Sequence, residues 1–281
     1  MTGRNACAIV EGGVSALASK ILADIEASGL PSPLKYLIAA HGHADHVMGL
    51  LKLKHNFPQL IMAGSKETGR ILAKEKIIRN FAQDDVMYAD YLREGGHFPD
   101  PADSPDEPLE LDLAMEDGGI LDLGGVQLKF IACPGHAPDN TVIQVEPDHA
   151  FLLSDSAGYA SAYNDILPLF FYSYRSYLEG LARIKSLAPG HIALGHNVLI
   201  SGEPECRRFL DLAADQAIKM RESILRRIQD KAPVEETEEQ IADQMSRYGL
   251  FKAFPRNRPN RGPANPLNPT TGWVWSGTPS R

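Results

Sequence analysis

The chain has 281 residues, with 36 acidic against 28 basic side chains and a formal net charge of −8. That length suits one large domain, or one domain with an appendage, and the acidic balance argues against a general nucleic-acid binder, because phosphate contacts want a basic surface. No apolar run reaches the roughly 18 residues of a membrane-spanning helix, the first residues lack the apolar stretch of a secretory signal, and three cysteines, Cys7, Cys133 and Cys206, read as reduced thiols of a cytoplasmic protein.

Residues 6–10 read as a short buried strand and Glu11-Gly12-Gly13 as a turn. Ser15 caps a helix that places Leu17, Ile21, Leu22 and Ile25 on one face, and Gly29, Pro31 and Pro33 end it. A strand over 34–40, a helix over 47–54 and a strand over 60–63 follow. This alternation of strand, helix and strand implies an α/β layered fold. From 65 to 94 the pattern is helical, with a break expected at Asp84-Asp85. Residues 95–108 read as loop, and 109–113 alternate as a half-exposed strand does. Strands at 120–123 and 126–131 flank Gly124-Gly125, a hairpin signal, and two more strands lie at 141–145 and 150–153. Tyr174, Tyr177, Leu178, Leu181 and Ile184 mark an amphipathic helix, and 192–200 is extended around Gly195-His196. Beyond Pro204 the character changes to a long helix over about 205–230. A second helix, with Thr237 and Gln240 as a capping box, carries Ile241 and Met245. The reading therefore divides the chain into 1–204 and a helical extension over 205–281, whose irregular tail carries Trp273 and Trp275 as docking aromatics.

One stretch organises the rest: His41-Gly42-His43-Ala44-Asp45-His46 packs three imidazoles and a carboxylate into six residues at the end of a strand. Metal ions want such donors held close together, and the ends of strands are where α/β folds build ligand sites. Three later turns echo it, each after an apolar run: Pro134-Gly135-His136, Ser154-Asp155 and Gly195-His196. Pro189-Gly190-His191 competes with the last of these. His196 is preferred because an extended stretch and a closing Gly202 follow it. His55, His97 and His149 lie away from any motif, and Cys133 reads as core.

Together these residues resemble the metallo-β-lactamase superfamily over roughly residues 6–202. The resemblance implies an αββα sandwich with the C-terminal helices added to it. It also implies a ligand set: His41, His43 and His136 for one metal, Asp45, His46 and His196 for a second, and Asp155 bridging both, with Asp45 and Asp155 the carboxylates of the catalytic centre. The cofactors expected are two divalent cations, zinc first and iron or manganese as alternatives. The expected chemistry is hydrolytic. A hydroxide shared by two cations attacks an ester or thioester-type acyl carbon of a small molecule, and the net positive charge stabilises the oxyanion. His43 stands where the flavin-linked diiron branch usually has glutamate, which points to the hydrolase-type branches. The Val10-Glu11-Gly12-Gly13 turn, the helical insert and the helical extension look more like quinolone-signalling thioesterases than like glyoxalase II, whose Thr/Ser-x-Gly after the histidine is replaced here by Ala137-Pro138-Asp139-Asn140. Phosphodiesterase, mononuclear iron sulfur dioxygenase and regulatory protein with a vestigial site stand as alternative readings. The expected partner is a small-molecule substrate, with no nucleic acid and no membrane, and a homodimer is compatible with the sequence. The helices after 205 are expected to form a lid over an apolar pocket, with Tyr159, Tyr163 and Tyr172 as candidates for its lining. The chain begins almost at its first strand, which is expected to mean either a truncated start or a first sheet lacking an edge strand, its exposed edge then covered by the C-terminal tail.

Overall fold

The computed structural model describes residues 1–96, 101–162, 164–196 and 198–245. The chain has an α/β fold, with two compact units and seven α-helices among the described residues. The first unit joins Met1–Ala132 with Asp139–Ser154, and the second joins Cys133–Pro138 with the chain from Asp155 onward. Among the described residues no helix is long and apolar enough to cross a membrane.

The first unit opens with strand β1 (Cys7–Val10), a single 3-10 turn (Ser15–Leu17) and helix α1 (Ala18–Ala27). Strand β2 (Leu34–Ala39), α2 (Ala44–Asn56) and β3 (Ile61–Ser65) follow, then α3 (Lys66–Leu72), α4 (Glu75–Glu94) and β4 (Leu113–Met115). Strands β1 to β4 form one sheet in sequence order, and every pairing is parallel. Parallel neighbours need crossover connections, which the helices supply. Strand β2 is central and has Tyr36, Leu37, Ile38 and Ala39 all buried, as a strand covered on both faces must.

A meander of β5 (Ile120–Asp122), β6 (Gln127–Ala132), β7 (Thr141–Glu146) and β8 (Ala150–Ser154) pairs antiparallel. Its inner face meets the first sheet. Tyr36, Ile38 and Ala63 share one core with Leu121, Leu128, Phe130, Ile143 and Val145. The outer edge of β1 is engaged by the chain's own first residue: the Met1 amino group donates to the Ala8 carbonyl at 2.9 Å, and the Ala8 N–H donates to the Met1 carbonyl at 2.9 Å. The tail expected over that edge, with Trp273 and Trp275, lies outside the described residues.

Several local expectations are corrected by the structure, among them Ser15, which lies in the 3-10 turn and does not cap α1. The break in the long helical stretch falls at Ala73-Lys74, and Asp84 and Asp85 lie buried inside α4. Tertiary partners satisfy Asp85: it accepts from the Ser15 N–H at 2.8 Å, from the Ser15 hydroxyl and from the Ser104 hydroxyl. The acid therefore docks the helix and does not end it. Strand β4 begins at Leu113, later than its alternation predicts, because the Asp112 side chain accepts the Met62 N–H at 2.7 Å in place of a ladder bond. Helix α2 begins at Ala44, so Asp45 and His46 lie in its first turn and not in the preceding loop.

The second unit holds the hairpin β9 (Tyr159–Ala162) and β10 (Asp165–Leu167), which the sequence pattern does not announce. Helix α5 (Tyr174–Ser186) is capped by Ser173, whose side chain accepts the Ser176 N–H at 3.2 Å. Strands β11 (His191–Leu194) and β12 (Leu199–Ser201) pair antiparallel. The long helix α6 (Glu203–Gln229) packs on α5 and β10, and α7 (Val234–Met245) completes the described chain. Thr237 does not start α7; it lies one turn inside, where its hydroxyl donates to the Pro233 carbonyl at 3.2 Å.

Candidate metal centre

In the first unit the six-residue cluster is held from both sides. His41 follows β2, and His43 is the N-cap of α2, its carbonyl accepting the His46 and Val47 N–H groups at 3.1 and 3.0 Å. The Asp45 carboxylate therefore sits at the positive end of a helix, where a negative charge is favoured. The His41 ring centroid lies 4.6 Å from that of His43 and 4.3 Å from that of His46. His41 and His46 are almost fully buried.

The turn after β1 supplies what the rings need. Glu11 Oε1 lies 3.0 Å from His46 Nδ1 and 3.5 Å from His41 Nδ1. The Ser154 hydroxyl donates to the same Glu11 oxygen and sits 3.0 Å from His41 Nδ1. A carboxylate only accepts, so His46 carries its proton on Nδ1, and Nε2 keeps its lone pair for a metal. Donor atoms of Glu11, His41 and His46 all fall within 4.8 Å of one another. Burial alone would raise the Glu11 carboxyl, but His46 and His41 outweigh it and hold the acid well below the usual carboxylate range. Close backbone packing sets this turn: the Gly12 N–H donates to the His46 carbonyl at 2.9 Å, and a Cβ on Gly49 would lie 2.1 Å from the Gly12 oxygen.

Asp139 braces the other side of the cluster. Its Oδ2 accepts the Gly42 N–H at 2.6 Å and the Thr68 hydroxyl at 2.9 Å, while the Thr141 N–H donates to the Ala40 carbonyl at 2.8 Å. Burial raises the Asp139 carboxyl above its ordinary value, opposed by His41 and by the bonds from Thr68 and Gly42.

In the second unit the structure gathers His136, Asp155 and His196. Asp155 Oδ2 lies 3.3 Å from His136 Nε2, and its Oδ1 lies 3.5 Å from His196 Nε2. His136 Nδ1 bonds the Leu169 carbonyl at 2.8 Å, which places that ring's proton on Nδ1 and leaves Nε2 for a metal. The bend that presents His136 depends on Gly135, at φ 155, where a Cβ would lie 2.5 Å from the Tyr177 Cα. His191 is elsewhere in this unit, exposed and 3.0 Å from the Ser201 hydroxyl. Tyr159 stacks near His196, with centroids 5.0 Å apart, whereas Tyr172 is 44% exposed and Tyr163 lies outside the described residues. Cys133 is buried against Gly180 of α5. His55 and His149 are exposed, and His97 lies outside the described residues.

The donor set fits divalent metal. Each unit presents imidazole nitrogens and a carboxylate, three of the rings with Nδ1 engaged by oxygen partners. Glu11, Ser154, Asp139 and the Leu169 carbonyl are the parts that the motifs do not announce. Glu11 stands beside its two glycines at a strand end, and Ser154 and Asp139 lie next to the His/Asp turns, but nothing in the sequence marks what any of them binds.

Residues 1–196 match the family model described as the metallo-beta-lactamase superfamily. A metallo-beta-lactamase fold-containing protein of Sulfurisphaera tokodaii is 26% identical over 176 residues, covering 60% of this chain and 62% of that protein. The chain spans less than two thirds of the length of the curated relatives it matches. Among solved structures, a metallo-beta-lactamase family protein of Thermus thermophilus superposes with a TM-score of 0.60 at 18% identity, covering 89% of this chain and 83% of that one. The stereoselective inverting sec-alkylsulfatase Pisa1 of a Pseudomonas species does so with a TM-score of 0.63 at 14% identity, covering 85% of this chain and 41% of that one. With its paired sheets, its His/Asp/Glu clusters suited to a metal and a family match over 196 residues, the chain belongs to the metallo-beta-lactamase superfamily.

Proposed function

We propose that this protein is a metal-dependent hydrolase acting on an ester or thioester of a small molecule, with two divalent cations at its centre. His41, His43 and His136 would hold one cation, Asp45, His46 and His196 the other, and Asp155 would serve both. The observation that carries this reading is the disposition of Asp155: its two oxygens address two different histidine nitrogens, at 3.3 and 3.5 Å. A carboxylate divided in this way suits a bridging role. Five imidazoles and two carboxylates suit zinc, and also iron or manganese. Bound there, divalent cations supply Lewis acidity and make water ionisable near neutral pH.

The chain's own groups prepare that chemistry. Glu11 and the Leu169 carbonyl orient His46 and His136 through their Nδ1 atoms, and the Ser154 hydroxyl links His41 to Glu11. Hydrolysis adds water across the acyl C–O or C–S bond and releases a carboxylic acid with an alcohol or thiol.

Metal analysis of the purified protein tests the reading, followed by turnover of an ester, thioester and phosphodiester panel. Two metal ions per chain and acyl-ester or thioester hydrolysis are expected. Asp155→Ala and His43→Ala are expected to lose bound metal and to lower turnover to background. Unchanged metal content and turnover in both variants would sink the proposal.

A further inference from the structure

A second feature of the second unit is a cavity of about 300 Å³ between residues 167–171, α6 and α7. Its walls include Leu169, Phe171, Met220, Ile224, Ile241 and Met245, and its only polar lining side chains among the described residues are Thr237 and Glu238 of α7. The far rim is apolar and open: Ile228 and Val234 are 57% and 67% exposed. Exposed apolar surface joined to an apolar hollow marks a binding site more often than a packing fault.

Two observations say what fills it. The first is a shared wall. Leu169 lines the cavity with its side chain while its carbonyl bonds His136 Nδ1 at 2.8 Å, and the Phe171 ring lies 5.2 Å from the His136 ring. The cavity thus begins one side chain away from a candidate metal ligand. The second is charge. Met245 packs with Leu167 and Leu169 at that end, and Glu238 lies about 10 Å back along α7 at 1.5 Å per residue. Among the described residues Glu238 is the one charged lining side chain, and the wall between it and the His136 end is apolar, so that stretch suits a hydrocarbon chain.

We propose that this cavity takes the saturated hydrocarbon chain of the substrate, making the substrate a medium-chain acyl ester or thioester with its carbonyl at the His136 end. At about 30 Å³ per methylene, the same as a water molecule's share of the liquid, the volume holds about ten carbons. Met220 and Met245 give the wall a soft, adaptable surface suited to a flexible chain. The placement of the carbonyl rests on the hydrolase reading; the occupancy of the cavity by an alkyl chain does not.

The test separates the two. Saturated fatty acids from butyrate to palmitate compete with a fluorescent fatty-acid probe on the full chain stripped of metal. Affinity is expected to rise about fourfold per added methylene, then to level off near about ten carbons. Met220→Trp and Ile224→Trp, each checked by circular dichroism, are expected to move that plateau to shorter chains. The wild-type series decides the question even if both variants fail to fold. An acyl-ester series with metal restored then reads the hydrolase proposal alone. Chain-length-dependent binding without turnover overturns the hydrolase reading and leaves the cavity assignment standing. Turnover with no dependence on chain length in either assay overturns the cavity assignment. So does the absence of displacement at every length, or a concentration-dependent dimer that the tryptophan variants break, which gives the cavity to a second copy.

Discussion

Glu11 and Ser154 are 143 residues apart in sequence, yet the Ser154 hydroxyl donates to the Glu11 carboxylate directly beside His41. Both residues hold left-handed backbone, at φ 58 and φ 50. Such conformations cost a non-glycine residue of order 1 kcal/mol or more, and they persist where surrounding structure over-determines them. Here the strain falls at the ends of β1 and β8, where each chain turns so that its side chain reaches the histidines.

Glu11→Gln is expected to lower metal affinity about 10–100-fold, the range typical of losing an outer partner of a ligating histidine. Ser154→Ala, which leaves the carboxylate in place, is expected to cost less. Competition with a chromogenic chelator measures both. Equal affinity in Glu11→Gln and wild type would show that the carboxylate does not orient the rings.

Gly49→Ala is expected to destabilise the fold by about 2–3 kcal/mol, because an added Cβ would lie 2.1 Å from the Gly12 oxygen and overpack the contact between turn and helix. The urea midpoint reports the loss. Metal affinity is expected to fall with it, since the same contact positions Glu11 against His46.

Asp139→Ala strips the Gly42 N–H and the Thr68 hydroxyl of their shared acceptor. Leaving buried donors unsatisfied costs about 1–3 kcal/mol. Asp139→Asn keeps an oxygen acceptor and is expected to recover most of that stability. Urea unfolding of the two variants side by side distinguishes a hydrogen-bonding role from a charge effect.

Asp85 predicts a pH dependence. Burial raises its carboxyl above the ordinary 3.8, against the hydrogen bonds from Ser104 and Ser15 that pull it down. The native state therefore holds this proton more tightly than the unfolded chain does. The Asp85 contribution to stability is complete below the unfolded value and is lost as the pH rises through the folded one. Asp85→Asn removes that titration, so its urea midpoint is expected to gain on the wild type as the pH is raised from acid to neutral. A constant difference across that range would contradict the assignment.

Much of the first unit is legible in its residues. Strands β1, β2, β3, β6, β7 and β8 follow short apolar runs bounded by turn residues, and Gly124-Gly125 marks its hairpin. The misplacements share one cause. Asp84-Asp85 looks like a helix break and Asp112 looks like part of a strand, because local pattern treats an acid as solvent-facing. Each is instead fixed by a distant partner: Ser15 and Ser104 for Asp85, and the Met62 N–H for Asp112. The β9–β10 hairpin carries no strict alternation and depends on α6 packed over β10.

What the sequence by itself determined is the family and the candidate donors, because His41, His43, Asp45 and His46 are neighbours along the chain and need only one strand end and one helix start to converge. Only the tertiary structure decided which groups hold those donors. Asp139 reaches Gly42 across 97 residues, and Ser154 reaches His41 across 113. The apolar cavity likewise draws on residues 167–171, α6 and α7, none of which encloses a volume alone. Donor identity is local chemistry that a motif can carry. Orientation and enclosure arise when distant segments pack, and no local pattern records which segments will meet.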